Sequence, residues 1–446
     1  MKNVIYLTCL FVLVFAACRK KDSITYPTFE VAVQLTDTSG NNFTVAGVNV
    51  KLTATGSSNV FESLTDASGL AKFVVPAGVY QASASYTQAD GVQRTIFNGN
   101  ADANITVSSD WDKNNITKIT LIEAQLSQVI IKEIFVGGTL KDDGSGTFEF
   151  DKYIVLYNNS TTPATLENVC LGMIAPYNSQ ASNGFYDESG KLSYESEGWI
   201  PAPQGYWYFQ QSVTIQPGKQ IVIALNNAVN NTITYSKSIN FDNPEYYCTY
   251  DILQYNNANY YVAPAASIPT NHYLKAVKYG TGNAWSISVT SPGVFLFTTK
   301  GTTPTAFGAD AAHNYNAWLS AYNGKKVPFD WVLDGVEVYL LNNENNVKRF
   351  TPNIDAGYVY HVNRQGYSIY RNVDKEATEA IAENAGKLVY NYSLGTNDIL
   401  GPRGSTDSSG IDAEASIKNG ARIIYKDTND STKDFHLRSK PSLRTN

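Results

Sequence analysis

Apolar and polar positions fall into three regimes along this chain. From Val4 to Phe15 almost every residue is apolar, and the run is about a dozen long, shorter than the ~20 residues a membrane-spanning helix needs. From Phe29 the pattern becomes alternation. Phe29 to Gln34 reads with a period of two, Asp37-Thr38-Ser39-Gly40-Asn41 interrupts it, and Val45 to Leu52 resumes it. Leu70 to Val75 and Val79 to Tyr86 follow, parted by turns at Asp66-Ala67-Ser68-Gly69 and Pro76-Ala77-Gly78. Short alternating strands at roughly ten-residue spacing, punctuated by Gly and Pro, predict a β-sandwich. Beyond Gln128 strand-like runs return, at Gln128–Glu133, Tyr153–Tyr157 and Lys219–Ala224, but long Tyr- and Asn-rich stretches now part them. One helix is expected, over Lys375–Gly386, from good helix formers ending in Gly. The expectation is a mainly β protein with about one helix.

The first regime has the form of a secretory signal: Lys2 supplies the cation, the apolar run follows, and small residues stand at Ala16 and Ala17. Val14-Phe15-Ala16-Ala17-Cys18 resembles the bacterial lipobox, with Phe15 where the motif prefers Leu. The resemblance implies cleavage after residue 17 and lipidation of Cys18, followed by a polar tether over 18–27. Each buried CH₂ adds ~0.8 kcal/mol to membrane binding and one acyl chain holds only marginally. Bacterial lipoproteins carry two or three, enough to anchor a large polar domain. Such tethers occur in Bacteroidota lipoproteins, so the expected location is the outer membrane, lipid-anchored and facing the cell exterior.

Composition narrows the partners. The 446 residues carry a net charge of −6, only 17% are charged, and Tyr reaches 30. Loss of Lys2 with residues 1–17 takes −6 to −7. A mildly acidic chain without clustered Lys and Arg argues against nucleic acid. Cys170 and Cys248 are the cysteines left outside residues 1–18. A disulfide between them suits an oxidising compartment, with two buried thiols as the alternative.

Thr65-Asp66, Gly69, Phe73, Val75-Pro76, Gly78 and Tyr80, with Gly47-Val48 before them, resemble carboxypeptidase-regulatory-like and related prealbumin-like sandwiches over residues 28–125. That resemblance implies a non-catalytic spacer or binding platform, in which Asp66 caps an Asx-turn rather than holding a cation. A second signature starts at Ile131, Glu133 and Ile134 and continues through Asp151, Tyr153, Ile154, Leu156, Tyr157 and Asn158. It resembles the opening of the lamin-tail domain, with Val155 in place of the usual Glu. Gln216-Pro217-Gly218, Asp330–Val338, Gly366–Arg371, Asp434-Phe435 and Pro441 resemble later parts of that domain, in order. Residues 126–446 are therefore expected to form a lamin-tail-like sandwich opened by long insertions. The whole resembles an uncharacterised family of Bacteroidota lipoproteins.

The insertions carry the candidate binding residues, Trp199, Tyr206, Trp207, Tyr208, Tyr247, Tyr255, Tyr260 and Tyr261. Tyr and Trp give large contact area with a polar tip and little rotamer entropy, so at least one ring of the Tyr206–Tyr208 run is expected to face outward unless an insertion covers it. The competing expectation is that these rings pack the loops onto the sandwich. No catalytic residue, metal site or cofactor is assigned: His272, His313, His361 and His436 lie far apart, and nucleophile elbows and P-loops do not occur. Asp187, Glu188, Glu195 and Glu197 lie among aromatics, and would matter to glycoside hydrolysis only if a pair faced across a cleft at ~5–10 Å. Three functions stay open. They are a non-enzymatic surface lipoprotein that captures a glycan or peptide ligand or docks on an outer-membrane transporter, an adhesin or structural interaction protein, and a glycan-acting hydrolase.

Cys18→Ser is expected to release the protein from the membrane fraction while leaving it folded. Metabolic labelling with a fatty acid reads this directly, and a labelled serine variant would contradict it.

Overall fold

The computed structural model describes residues 27–55, 57, 59–90, 93–396 and 405–445. The lipobox, Cys18 and all but the last residue of the tether lie outside the described residues. Among the described residues no helix is long and apolar enough to cross a membrane. The chain divides into two units. The first holds the described residues up to Ser85 together with Gly99–Leu121, and the second holds Tyr86–Asn98 and Ile122 onward. Tyr86–Asn98 and the strand Ile122–Leu126, which fall within the span expected for the first sandwich, group with the second unit.

In the first unit Thr28–Thr36 pairs antiparallel with Leu70–Pro76 and parallel with Ile116–Thr120, while Asn49–Ala54 lies between Val60–Leu64 and Gly78–Asp90. The motif residues each do a local job. Asp66 Oδ1 accepts from the Ser68 and Leu70 amides at 2.8 and 3.1 Å, the Asx-turn expected of it. Gly69 sits at φ +78°, where a Cβ would meet the Phe43 carbonyl oxygen at 2.0 Å. Thr65 Oγ1 donates to the Val45 carbonyl and accepts from the Val48 amide, and the Tyr80 hydroxyl donates to the Pro76 carbonyl at 2.7 Å. Phe73, Val75 and Tyr80 are core.

The second unit is organised by one sheet of twelve strands. In order they are Val359–His361, Val332–Leu340, Gly293–Thr298, Val169–Met173, Gly205–Tyr208, Tyr273–Lys278, Tyr247–Thr249, Gln220–Ala224, Tyr153–Asn158, Val129–Phe135, Ser368–Arg371 and Phe435–Arg438. Its two ends return to the same core, giving a nearly closed, barrel-like sheet. The inner face supplies Ile131, Ile154, Leu156, Leu171, Trp207, Ile223, Leu274, Val294, Leu296, Val336, Ile369 and Leu437 to one cluster.

Insertions cover the outer face as well. Residues between 174 and 203 and between 304 and 331 cover Cys170, Tyr206, Phe295 and Phe297. Ala228, Ile239, Phe241 and Ile268 pack on Tyr153, Val155 and Val222, while Val373, Ile411, Ile423 and Tyr425 pack on Ile130, Tyr157 and Tyr370. Val129–Phe135 and Tyr153–Asn158 are consequently buried at every position, as strands covered on both faces must be.

Two expectations need correction. Helix is not confined to one segment: Pro304–Ala309, Lys375–Glu379, Ala413–Lys418 and Ser431–Asp434 are four short helices among the described residues. Thr303, Asp374, Asp412 and Asp430 cap them through their side chains, and none is long enough to show an amphipathic period. The expected helix at Lys375–Gly386 stops at Glu379 and gives way to a 3₁₀ turn at Ala382–Asn384. The disulfide is not formed either. Cys170 and Cys248 are free and buried in different clusters, and two strands stand between theirs in the sheet. At ~4.8 Å per strand that is roughly 14 Å, beyond bonding reach. Burial pushes the Cys248 thiol up to about 12 and the Cys170 thiol well above its ordinary range, so both are inert.

At the centre of the second unit Arg371 is buried among three carboxylates. It pairs with Asp334, with Asp427 at 3.2 Å and with Asp434 at 3.7 Å, and donates to the Ile131 carbonyl at 2.8 Å. Burial raises Asp434 to about 6, with Arg371 pulling it down less strongly. A folded pKa above the unfolded one means that this group's stabilising contribution is present below about pH 4 and lost as pH rises through about 6. Arg371→Met, which strands the carboxylates without a cation, is expected to cost about 3–5 kcal/mol at pH 8. The deficit should shrink at pH 5 as they protonate. Urea midpoints at the two pH values measure it.

Candidate functional site

The candidate site is a cleft of about 630 Å³ in the second unit, at the mouth of the barrel-like sheet. Its walls are Tyr177, Tyr260 and Tyr279 with Met173, and its rim is Gln204, Thr281, Ser286, Ser320 and Asn323. No lining residue is charged. Two of the three tyrosines are fixed by their hydroxyls: Tyr177 donates to the Ala321 carbonyl at 2.8 Å and Tyr279 to the Ala202 carbonyl at 2.7 Å. Burial raises the pKa of both, so they stay protonated donors. Tyr260 is held by its ring, edge-on to Phe150 at 5.0 Å, and its half-buried side chain lines the cleft.

The rim is built by backbone that only certain residues allow. Gln204 stands at φ +65° between two strands, and its carbonyl accepts from the Tyr279 and Gly280 amides at 3.2 and 3.1 Å. Its amide Nε2 donates to the Ala321 carbonyl at 2.8 Å, tying the two sides of the rim together. A Cβ at residue 280 would lie 1.6 Å from Gln204 Oε1, so any larger residue there would displace the Gln204 side chain from its bond to Ala321. The Ser320–Asn323 edge continues into exposed Trp318 and Leu319, the first packed edge-on to Phe185 at 4.8 Å.

Behind the rim, residues 285–287 plug the end of the barrel. Trp285 and Ile287 belong to the inner core. The Trp285 ring donates to the Gly205 carbonyl at 3.0 Å, and Tyr261 Oη both donates to the Trp285 carbonyl and accepts from its amide. Ser286, between them, is half-buried and lines the cleft. Lys152 lies two residues before Ile154 and so shares its inward face; its Nζ donates to Ser286 Oγ and to the Ile287 carbonyl, both at 2.8 Å.

Most of the rings expected at a binding surface are core instead. Trp207 and Tyr206 are fully buried, Trp207 against Tyr255 and Tyr261 on the inner face and Tyr206 against Phe297 and Phe307 on the outer. Tyr255 and Tyr261 are buried, and Trp199 is stacked on Tyr315 at 5.5 Å. The physical reason is the second layer: alternation exposes every other ring only while the outer face is bare, and here the Pro304–Ala309 helix covers it. Tyr208 and Tyr247 are half-buried, the latter stacked on His272 at 4.1 Å. Only Tyr260 of the eight lines the cleft. It and its partners Tyr177, Gln204 and Tyr279 are spread over about a hundred residues, from 177 to 279, and no local signal joins them.

The loop acids serve local structure. Asp187 Oδ1 caps the Ser189 and Lys191 amides, and Glu197 accepts from the Trp199 ring at 2.7 Å and pairs with Lys326 at 3.1 Å. Among the described residues no cluster of three His, Cys, Asp or Glu side chains suits a metal ion.

Trp207→Ala is expected to cost about 3–5 kcal/mol, as for a large core ring, and Tyr260→Ala under about 2 kcal/mol, as for a half-exposed one. Thermal or urea denaturation of the two variants separates them.

Residues 216–393 match the sequence model of a family described as a protein of unknown function, DUF4876. A DUF4876 family protein from Bacteroides thetaiotaomicron VPI-5482 is 21% identical; the match covers 94% of this chain and 97% of that one, with a TM-score of 0.51. BcpA, the major pilin subunit of Bacillus cereus, is 10% identical over 76% of this chain and 99% of its own, with a TM-score of 0.17 that carries no structural argument. No curated protein matches. Over nearly its whole length the chain is therefore similar in fold to a protein of an uncharacterised family found in Bacteroides.

Proposed function

We propose that this protein is a cell-envelope lipoprotein, held through Cys18 at the outer membrane and facing outward, which captures a ligand in the Tyr177–Tyr260–Tyr279 cleft. The observation that carries this reading is the cleft's chemistry. Three tyrosines form its walls, amides and hydroxyls its rim, and no lining residue bears a charge. Aromatic rings offer flat apolar contact at little entropic cost, and amides and hydroxyls orient polar groups. An uncharged, polyhydroxylated ligand such as a neutral glycan fits this lining better than a charged peptide, whose ions would be desolvated without a partner. The exposed Trp318 and Leu319 beside the rim offer an apolar contact for an outer-membrane transporter that would receive the ligand. Capture and handover need no bond-making step.

The test is a titration of the soluble chain, starting at residue 27, against a panel of neutral and acidic oligosaccharides, read by intrinsic fluorescence and calorimetry. Binding of a neutral glycan is expected, weakened at least tenfold by Tyr260→Ala, the equivalent of about 1.4 kcal/mol. Binding that ignores Tyr260→Ala, or that favours acidic sugars, would overturn the reading.

A further inference from the structure

Lys152 is a lysine in the wrong place for a structural cation. It is only 3% exposed, and among the described residues no carboxylate lies at ion-pair distance from it. Three other enclosed cations are matched, Arg371 by three carboxylates, Arg349 by Glu337 and Lys132 by Glu414, while Lys325 shares the condition of Lys152 and rests on the Asp310 carbonyl and the Asn314 side-chain amide. A buried ammonium without a counter-ion pays a large desolvation cost and tends to shed its proton. Burial accordingly pushes Lys152 down to about 8, with Glu149 and Asp151 pulling weakly the other way. At pH 7 about a tenth of this amine is uncharged and can accept a proton, and the share grows to half near pH 8.

What it can accept from is Ser286. The serine Oγ lies 2.8 Å from Nζ, and the second bond from Nζ to the Ile287 carbonyl fixes the amine's direction. Trp285 and Ile287 lock the serine's backbone from both sides, through the core and through Tyr261. The outer side of Ser286 faces the cleft. A half-buried serine lining an open cleft, with a desolvated amine 2.8 Å from its hydroxyl, has the arrangement of a serine–lysine nucleophile and base.

We propose that Ser286 is an acyl-accepting nucleophile and Lys152 its general base, so that the cleft cleaves a carboxylic ester carried by the ligand it holds. This rests on the cleft being the ligand site. Ser286 Oγ bonds to the ester carbonyl carbon while its proton passes to neutral Lys152 Nζ. The carbon–oxygen bond to the leaving alcohol then breaks, and that oxygen takes the proton from Nζ. Water, giving its proton to Lys152, attacks the acyl-serine, and the proton returns to Ser286 as the acid departs. The sum is ester and water to acid and alcohol, with no other reactant.

The experiment treats the soluble chain with a fluorophosphonate probe and maps the adduct by peptide mass spectrometry, which needs no knowledge of the native ligand. One adduct on Ser286 is expected, its rate rising with pH through a single midpoint near 8. Ser286→Ala should abolish it and Lys152→Met reduce it at least a hundredfold, each with a melting curve to show that the variant folds. The wild-type pH profile stands even if Lys152→Met does not fold. No adduct at pH 9, an adduct on another residue, or an unchanged profile in folded Lys152→Met would overturn the proposal. Labelling without glycan binding would remove the capture reading and leave the nucleophile. Glycan binding without labelling would do the reverse.

Discussion

Arg371 is the fixed point of the second unit. One guanidinium reaches a backbone carbonyl at Ile131, carboxylates at Asp334, Asp427 and Asp434, and the ring of Phe435 at 4.4 Å. These residues come from the strand Val129–Phe135, from a strand two hundred residues later, and from the closing strand with the loop and short helix before it. An arginine so enclosed must satisfy its donors with oxygens at fixed positions, because a buried guanidinium left unpaired costs several kcal/mol. It therefore fixes how the two ends of the sheet meet. Glu133 adds a second clasp by accepting from the Ser442 amide at 2.9 Å and from its hydroxyl. The short motifs at Ile131–Glu133, Asp330–Val338, Gly366–Arg371 and Asp434-Phe435 are distant in sequence, but they are the pieces that converge here.

With the frame closed, insertions plug the inner core with Tyr255, Tyr261, Trp285 and Ile287, and others occupy the outer face. Three hydrophobic clusters form there, each roofed by a different insertion. The high tyrosine content serves both the inner core and this second layer. Tyr157, Tyr206, Tyr255 and Tyr261 are buried rings whose hydroxyls each donate to a backbone carbonyl, so polar loop backbone is satisfied without charges. That is the economy of a protein with few charged residues and long loops: the phenol fills space and caps carbonyls in one side chain.

The cleft arises where this layer stops. Gln204, at a positive φ between two strands, opens the sheet's edge, and Gly280 admits its side chain. Behind that edge the 285–287 plug keeps water from the inner core while presenting Ser286 to solvent. The same plug shields Lys152. Cleft wall, serine and amine are thus joined by one short segment, and a change in its packing would be felt at all three.

The sequence by itself determined the local elements: the alternating strands of the first unit, the Asx-turn at Asp66, the strand at Tyr153–Tyr157, and the mainly β character. These follow from periodicity and turn chemistry within a few residues. It also displayed the motif pieces that meet at Arg371, though not that they meet. Tertiary structure alone decided which aromatics are buried, because Tyr206 is covered by a helix a hundred residues away on the outer face and Trp207 by Tyr255 and Tyr261 on the inner one. It decided as well that Cys170 and Cys248 stay apart, since sheet order is not written in spacing. In the sequence Lys152 is one charge beside a strand. Only the closed barrel, which removes it from water and sets it 2.8 Å from Ser286, gives that lysine a chemistry, because desolvation is a property of the surroundings and not of the residue.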